Sequence, residues 1–235
     1  MYAQSISAVP SRVDLSAFGM HRGLDQQARG QTAAIGATQK LSPGKTLFSE
    51  GDDAENVYEV VRGMLRLCKL LPDGRRQIMG FLGAGHLLGL ADQDAYLYTA
   101  EAITEVTLCR YPRTRFERML DEVPGFARRL LAVTSNELWA AQDQMLLLGR
   151  KSATEKLASF LLALVRQQGG DDRVEIPMTR ADIADYLGLT VETVSRNFTR
   201  LKQDGVIVLR SASSIELRDA DRLEELAAGE SVDDL

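Results

Sequence analysis

A short polar segment near the C-terminal end of the chain carries side chains that match the edges of nucleic-acid bases. Arg196 offers two parallel donors, the arrangement that binds O6 and N7 of guanine, and Glu192 can accept from the N4 amine of cytosine. Ser195 is short and can bond or pack against a base edge. Spacings of three and four residues place these side chains on one face of a helix. We therefore predict a base-reading surface made of Glu192, Ser195 and Arg196.

Residues beside this surface are suited to hold a nucleic-acid backbone. Hydroxyl and guanidinium groups donate to phosphate oxygens, and helix N termini present free amides to the same oxygens. The candidates are Thr179, Thr190, Thr193, Thr199 and Arg200. Residues 179–210 carry five basic and four acidic side chains, a formal charge of +1, whereas the whole chain carries -5. We expect moderate phosphate affinity, with specificity that depends on contacts to bases.

Two short helices must position these groups. Thr179 can cap a first helix that runs to about Tyr186, and Thr190 can cap a second that runs to about Gln203. Gly188 between them can adopt the left-handed backbone that a tight corner requires. The apolar positions that we expect to face inward are Ile183, Leu187, Leu189, Val194, Phe198 and Leu201. The pattern predicts a helix-turn-helix; an ordinary helical hairpin within a core is the alternative.

The segments on either side complete a larger unit. Residues 206–209 and 215–217 flank a polar stretch and predict a hairpin wing, and residues 219–227 predict a short helix. Before the helix-turn-helix, apolar residues recur at helical spacing from about 124 to 168, and we place the domain boundary near residues 149–152. A stripe with alternating spacings of three and four predicts the seam of a two-stranded coiled coil, made of Leu131, Thr134, Leu138, Ala141, Met145 and Leu148. The alternative is that this stripe packs on its own domain.

The first half of the chain has a different sequence pattern. Between residues 39 and 111, short apolar runs alternate with glycines, and Asp73-Gly74 between two runs predicts a hairpin. We predict an α+β fold with an antiparallel jelly-roll barrel over residues 39–123. A flexible arm (1–38), with one short helix near residues 24–29, precedes it. A dimerisation helix (124–150) and a winged helix-turn-helix (151–235) follow it.

Composition excludes several classes of protein. The two cysteines are no disulfide framework and fit a reducing cytoplasm. No signal peptide is evident, and the longest apolar run, Phe160 to Val165, is far shorter than the roughly 20 residues that span a bilayer. His21 and His86 lie far apart without matching ligands, so we expect no metal, no cofactor and no enzyme activity. An enzyme on a cupin-type barrel would need clustered histidine and carboxylate ligands, which this barrel lacks.

These motifs together resemble the CRP/FNR superfamily of bacterial transcription regulators over about residues 39–217. The most specific match is MTRADIADYLGLTVETVSR, in which Glu192-x-x-Ser195-Arg196 is similar to the FNR branch. The resemblance implies a homodimer on TTGAT-like palindromes. It implies that Arg196 reads guanine, that Ser195 helps at a thymine, and that Glu192 contacts the complementary strand. It also adds Arg180 to the expected backbone contacts.

The chain departs from the oxygen-sensing members of the FNR branch. The barrel position of their iron–sulfur ligand is matched by Cys109, but the arm before Gln39 contains no cysteine, so four thiolate ligands from one chain are impossible. We interpret Cys109 and Cys68 as buried apolar fillers; a redox role is the alternative. Oxygen-switched relatives tend to have an acidic residue where this seam has Ala141, which favours a constitutive dimer.

A second departure concerns nucleotides. The stretches 86–91 and 96–100 match the nucleotide pocket of the superfamily, yet they lack both its ribose-binding glutamate and its phosphate-binding arginine. We therefore discount a cyclic nucleotide as the ligand, although a sensor gated by another small molecule remains an alternative.

The remaining resemblance is to the FixK type, which activates genes for microaerobic or anaerobic respiration and nitrogen fixation. In relatives, RNA polymerase can touch the hairpin matched by Asp73, Gly74, Arg75 and Arg76; a solvated basic turn is the other interpretation.

Overall fold

The glycine-punctuated half of the chain folds into two antiparallel sheets. The computed structural model describes residues 26–90, 94–170 and 172–229. The first sheet has the order β1-β8-β3-β6 and the second β2-β7-β4-β5. Their strands, preceded by helix α1 (Gln26–Ile35), are β1 (Ala37–Leu41), β2 (Thr46–Phe48), β3 (Asn56–Arg62), β4 (Leu65–Leu70), β5 (Arg76–Leu82), β6 (Leu87–Leu88), β7 (Thr99–Ala102) and β8 (Val106–Pro112). This confirms the predicted antiparallel barrel and the hairpin at Asp73-Gly74.

Aromatic side chains fill the space between the two sheets. The rings of Phe48 and Tyr96 stack with centroids 3.7 Å apart, and Phe48 also stacks on Tyr58 at 5.8 Å. The hydroxyl of Tyr96 donates to the carbonyl of Asn56 at 2.8 Å, so the buried ring keeps its polar group satisfied. The barrel interior is therefore a packed core around Tyr96.

Among the described residues, regular secondary structure begins before the predicted end of the arm. Helix α1 extends beyond the predicted residues 24–29, and strand β1 starts at Ala37, opposite Arg110. Within the predicted flexible arm, residues 26–35 thus form a helix in which Thr32 is buried, and Ala37 and Thr38 pair with β8. The local composition, which is polar and small, gave no sign of these distant partners. Residues 1–25 lie outside the described part of the chain.

Three helices connect the barrel to the C-terminal unit: α2 (Arg113–Glu122), α3 (Phe126–Arg150) and α4 (Ala153–Gln167). The helical pattern that continues to about residue 168 is interrupted at Lys151 and Ser152. Ser152 forms a capping box, because its side chain accepts from the Glu155 amide while Glu155 accepts from the Ser152 amide. The break falls inside the predicted boundary of 149–152 and leaves a two-residue joint.

The C-terminal unit has the predicted winged helix-turn-helix elements. They are β9 (Arg173–Glu175), α5 (Arg180–Leu187), α6 (Val191–Gln203), β10 (Ile207–Ser211), β11 (Ser214–Leu217) and α7 (Ala220–Ala228). Strand β11 lies between β10 and β9, which makes the wing a three-stranded sheet. The core of this unit includes Ile183, Leu187, Val194, Phe198 and Leu201, all buried. Of the residues expected to face inward, only Leu189 is partly exposed.

The barrel and the C-terminal unit share a core and an ionic contact. Phe81 of β5 packs against Tyr186 of α5, with ring centroids 5.1 Å apart, and against Phe160 of α4. Next to these rings, Arg76 pairs with Asp182 and Asp185 of α5 at 2.8 and 2.7 Å. The interpretation of Arg76 as part of a solvated basic turn is therefore wrong, because only 29% of its side chain is exposed. Within the described residues, no helix has the length and apolarity needed to cross a membrane.

The packed barrel predicts a large cost for removing the Tyr96 ring. We expect Tyr96→Ala to lower the free energy of unfolding by about 3–5 kcal/mol, since it leaves a cavity under Phe48. Tyr96→Phe should cost about 1 kcal/mol, the share of the hydroxyl. Urea unfolding measures both. The neighbouring Leu97→Ala is the control, with a change within about 0.5 kcal/mol because Leu97 is 44% exposed. An equal effect of Tyr96→Ala and Leu97→Ala would contradict the packed core.

Candidate nucleic-acid interface

Side-chain caps set the start of both helices of the helix-turn-helix. The Thr179 hydroxyl accepts from the Asp182 amide at 3.0 Å and donates to the Asp182 carboxylate at 2.7 Å. Thr190 accepts from the Thr193 amide at 3.2 Å. Gly188 ends α5 with φ of +63°, in the left-handed region that favours glycine. The predicted caps and corner are confirmed.

Helix α6 buries one face and exposes the other. Val194, Phe198 and Leu201 are 2% exposed or less, whereas Glu192 and Arg196 project from the opposite side and are exposed. Among the described residues neither Glu192 nor Arg196 has an ion-pair partner, and Ser195 between them is also exposed. An ordinary hairpin within a core would bury both faces. The three predicted base-reading side chains therefore share one free polar face.

A shallow pocket of about 360 Å³ adjoins this face and brings in two residues that sequence reasoning missed. It is lined by Thr154, Thr193, Arg196, Asn197 and Arg200. The Thr154 hydroxyl donates to the Asn197 side chain at 2.7 Å, and Asn197 donates to the Thr193 carbonyl at 2.9 Å. Thr154 lies in the first turn of α4, so its place beside α6 follows only from the tertiary fold. Hydroxyl, amide and guanidinium groups in one depression suit a phosphate.

The other residues predicted to contact the DNA backbone differ in whether their side chains already take part in contacts within the chain. Thr179 and Thr190 are exposed, but both hydroxyls already serve as helix caps. Thr199 directs its hydroxyl to the Ser195 carbonyl at 3.0 Å. The Arg180 guanidinium lies over the Phe198 ring, 3.3 Å from its centroid, where desolvation lowers the pKa of Arg180. This stacking fixes Arg180 beside α6.

Acidic residues of α5 face the barrel rather than the polar face of α6. Asp182 is 2% exposed and accepts from Arg66 and Arg76 at 2.9 and 2.8 Å. Burial alone would raise the pKa of Asp182, but hydrogen bonds from Thr179 and the charges of Arg66 and Arg76 bring it below its ordinary value. Because these arginines neutralise Asp182 and Asp185, the surface around α6 is more basic than the +1 of its sequence segment.

The seam residues of α3 point away from the rest of the chain. Leu131, Leu138 and Met145 are 67%, 60% and 72% exposed, and Thr134, Ala141 and Leu148 are exposed as well. Leu147 is instead buried against the chain's own core. The stripe therefore does not pack on its own domain, which was the alternative. An exposed apolar stripe of this length favours a partner surface, and the two-stranded coil stays a prediction.

Comparisons with known proteins agree with this geometry. Residues 38–123 match the family "Cyclic nucleotide-binding domain", and residues 155–226 match the family "Crp-like helix-turn-helix domain". The chain is 46% identical over 198 residues to the nitrogen fixation regulation protein FixK of Bradyrhizobium diazoefficiens, covering 83% of each. The chain belongs to the CRP/FNR family. It is a helix-turn-helix regulator of a family whose members bind DNA and form dimers.

Other relatives point to the same branch of the CRP/FNR family. The transcriptional activatory protein AadR of Rhodopseudomonas palustris is 45% identical over 193 residues, with 80% of each chain covered. The solved structure of FixK2 from Bradyrhizobium japonicum matches with a TM-score of 0.78 at 40% identity, over 82% of this chain and 97% of that one. The resemblance that the sequence motifs indicated is confirmed at the level of family and fold.

The barrel matches a nucleotide-binding family, yet its own side chains occupy the corresponding region. The Gly89 amide, in the stretch that resembles the nucleotide pocket, donates to the Tyr98 hydroxyl at 3.1 Å. Arg113 donates to the carbonyls of Ala54 and Gly89. Tyr96, Tyr98 and Arg113 thus form hydrogen bonds with the backbone of this region within the chain. The ligand-gated alternative thus gains no support from the described part of the barrel.

Both cysteines are buried inside the barrel. Burial raises the pKa of the Cys68 and Cys109 thiols. Because the thiolate is the reactive form, both residues have low reactivity in the folded protein. No cluster of three or more potential metal-ligating side chains occurs within the described ranges. These observations support the interpretation of Cys68 and Cys109 as apolar fillers.

The exposed seam predicts that one aspartate is enough to separate the dimer. Leu138→Asp places a charge from each copy at the centre of the seam, and we expect the dimer to weaken by about 3 kcal/mol, roughly 100-fold in Kd. Asn136→Asp adds the same charge on the outer face of α3 and should leave the dimer intact. Light scattering of both variants over a dilution series measures the mass. A dimer that persists in Leu138→Asp would refute the seam.

Because both thiols are buried, we expect them to react slowly with thiol reagents in the native state. We expect Cys68 and Cys109 to react with a disulfide reagent only after denaturation in guanidinium, because the folded barrel shields both sulfurs. Thiol titration of native and denatured protein gives the two rates, and Cys68→Ser and Cys109→Ser assign them. A thiol that reacts in the folded dimer as fast as in the unfolded chain would favour the redox alternative.

Proposed function

We propose that this chain is a homodimeric transcription activator that binds TTGAT-like palindromes. The observation that carries the proposal is the free polar face of α6, where Glu192, Ser195 and Arg196 stand exposed above a buried apolar face. Such a helix fits the major groove, which displays a distinct pattern of donors and acceptors for each base pair. In this placement Arg196 reads guanine, Ser195 approaches a thymine, and Glu192 accepts from the complementary strand.

Contacts to the DNA backbone would hold α6 in register. Thr193 and Arg200 line the pocket next to Arg196, and Thr154 and Asn197 extend it toward the N terminus of α4. Arg180, the first residue of α5, has its guanidinium stacked on Phe198 of α6, and we propose that it contacts a flanking phosphate. Such contacts position a protein on the duplex and carry no sequence information. Thr179, Thr190 and Thr199 remain proposed contacts of the same kind.

The dimer explains why the target should be a palindrome. Two copies joined through the α3 seam present two α6 helices related by a twofold axis. Such helices can enter successive major grooves about 34 Å apart on one face of the duplex. Ala141 in the seam lacks the charge that would repel its counterpart across the axis. We infer that dimerisation is constitutive.

The names of the relatives suggest the cellular role. FixK proteins are named for the regulation of nitrogen fixation, and AadR is named as an activator. We propose that this chain activates genes of microaerobic or anaerobic respiration or of nitrogen fixation in the cytoplasm. Because the barrel interior is filled, we propose that the activity of the protein is controlled by its abundance.

Asp73, Gly74 and Arg75 are exposed at the β4–β5 turn and are the proposed contacts to RNA polymerase.

The division between base and backbone contacts is testable with two arginines four residues apart. We expect Arg196→Ala to cost about 1–3 kcal/mol on a TTGAT palindrome and to relax selection at the guanine. Arg200→Ala should weaken binding to all sequences alike and lower the slope of log K against log salt by about 1. Titrations by fluorescence anisotropy at several salt concentrations measure both.

Two controls complete this experiment. A palindrome with the guanine replaced in both half-sites should bind the wild-type protein as weakly as it binds Arg196→Ala. Arg115→Ala, on the exposed face of α2, keeps the change of charge but is remote from α6 in the sequence and should bind like wild type. Equal affinity of wild type and Arg196→Ala for the TTGAT palindrome would refute the assignment.

A further inference from the structure

Five charged side chains join the barrel to the first helix of the helix-turn-helix. Arg66 of β4, Arg76 of β5 and Glu101 of β7 come from the barrel, and Asp182 and Asp185 come from α5. We call this group the charge clasp. Its members lie more than 80 residues apart across the two units, and it occupies the edge of the shared aromatic core.

Arg76 is the central member of the charge clasp. Its Nη2 donates to Asp182 at 2.8 Å and to Asp185 at 2.7 Å, and its Nε donates to the same Asp185 oxygen at 2.9 Å. Arg66 donates to Glu101 at 2.8 Å and to Asp182 at 2.9 Å. Asp182 thus receives one guanidinium from each of two neighbouring strands. Fork-shaped contacts of this kind fix orientation as well as distance.

The backbone of α5 is held at two further points. Gln77 of β5 donates to the Asp185 carbonyl at 2.8 Å, and Gln144 of α3 donates to the Tyr186 carbonyl at 3.3 Å. The Tyr186 ring lies against Phe81 of β5. Helix α5 is therefore anchored by the barrel along its length and by the dimerisation helix at its C-terminal end.

This anchorage determines where the recognition surface points. Helix α6 packs on α5, α4 and β10 within its own unit, so it follows α5 in any movement. The covalent link between α3 and α4 is only the Lys151–Ser152 joint, which cannot by itself define an angle. Two half-sites are read together only if both α6 helices have the correct spacing and tilt. Within one chain that angle is fixed by the contacts of α5 with the barrel, together with the packing of Phe81 on Phe160 and the hydrogen bonds of Lys151 to Ser159 and Ala227.

We propose that the charge clasp holds the helix-turn-helix in the orientation that binds DNA, so that the dimer binds its palindrome without an effector. Arg66, Arg76 and Asp185 are then positioning residues for DNA recognition, although none of them contacts DNA. In the clasped arrangement Glu192 and Arg196 are exposed, as DNA binding requires. The inference rests on the proposed function.

Charge reversal and its compensation test the charge clasp in the full-length dimer. Arg76→Glu faces Asp182 and Asp185 with a third carboxylate, and we expect its affinity for the TTGAT palindrome to fall at least tenfold. Asp185→Arg should have a similar effect, because its new charge repels Arg76. The double variant Arg76→Glu with Asp185→Arg restores an attractive pair and should regain most of the lost affinity. Arg115→Glu is the matched control, because Arg115 is exposed on α2 and is not a member of the charge clasp.

The spacing of the half-sites separates positioning from general stability. Wild-type protein should prefer the natural spacing over a palindrome lengthened by one base pair, and Arg76→Glu should lose most of that preference. Its affinity for unrelated DNA should fall much less than its affinity for the palindrome, since the side chains of the α6 surface remain and only the change of charge acts there. Circular dichroism and light scattering confirm that each variant is a folded dimer. Loss of stability alone would lower binding to all three DNAs in proportion and would not be cured by the second substitution.

Several outcomes overturn the inference. They are unchanged palindrome affinity of a folded Arg76→Glu dimer, a rise in its affinity, or a double variant as weak as the single ones. Hydrogen exchange of the α5 amides without DNA gives an independent measure, and exchange that is equal in wild type and Arg76→Glu would also count against the clasp. A wild-type protein that ignores the palindrome would refute the proposed function, and the exchange experiment would then still decide on the clasp.

Discussion

The buried carboxylate of Asp182 links the barrel to the helix-turn-helix. It closes the capping box with Thr179 that starts α5, and its other oxygen receives guanidinium groups from Arg66 and Arg76. A buried carboxylate without such partners would be costly, so helix initiation and domain orientation support each other. Since α6 packs on α5, the position of the exposed base-reading face depends on this side chain together with the other contacts that hold α5.

The pairing of these acidic residues also explains how an acidic protein can bind a polyanion. The formal charge of the chain is -5, but Asp182 and Asp185 of α5, the helix that packs on the recognition helix, face the barrel and are paired with arginines. Glu192 remains on the outer face, where it can accept from a cytosine. Arg196 and Arg200 then face outward beside it. The placement of charge, rather than its sum, decides which surface attracts DNA.

Local signals in the sequence predicted the parts of the fold that local chemistry determines. Thr179, Thr190 and Gly188 are recognisable because caps and left-handed corners depend on one or two side chains. The position of Arg76 was not predictable in this way, because its partners lie more than 100 residues further along the chain. Thr154 beside Asn197, and the early start of β1 opposite β8, likewise depend on tertiary pairing. The base-reading residues were accessible to sequence reasoning, whereas the device that orients them was not.

A filled barrel and an anchored helix-turn-helix have a common consequence. In a ligand-gated protein of this fold, binding energy from the effector selects one arrangement of the DNA-binding unit. Here Tyr96 and Tyr98 occupy the barrel core and its pocket region, and the hydrogen bonds of Arg113 close the adjoining backbone. The free energy that selects the arrangement must then come from contacts within the chain. The contacts of Arg66 and Arg76 with α5 are of the right kind, because they exist only in one relative orientation of the two units.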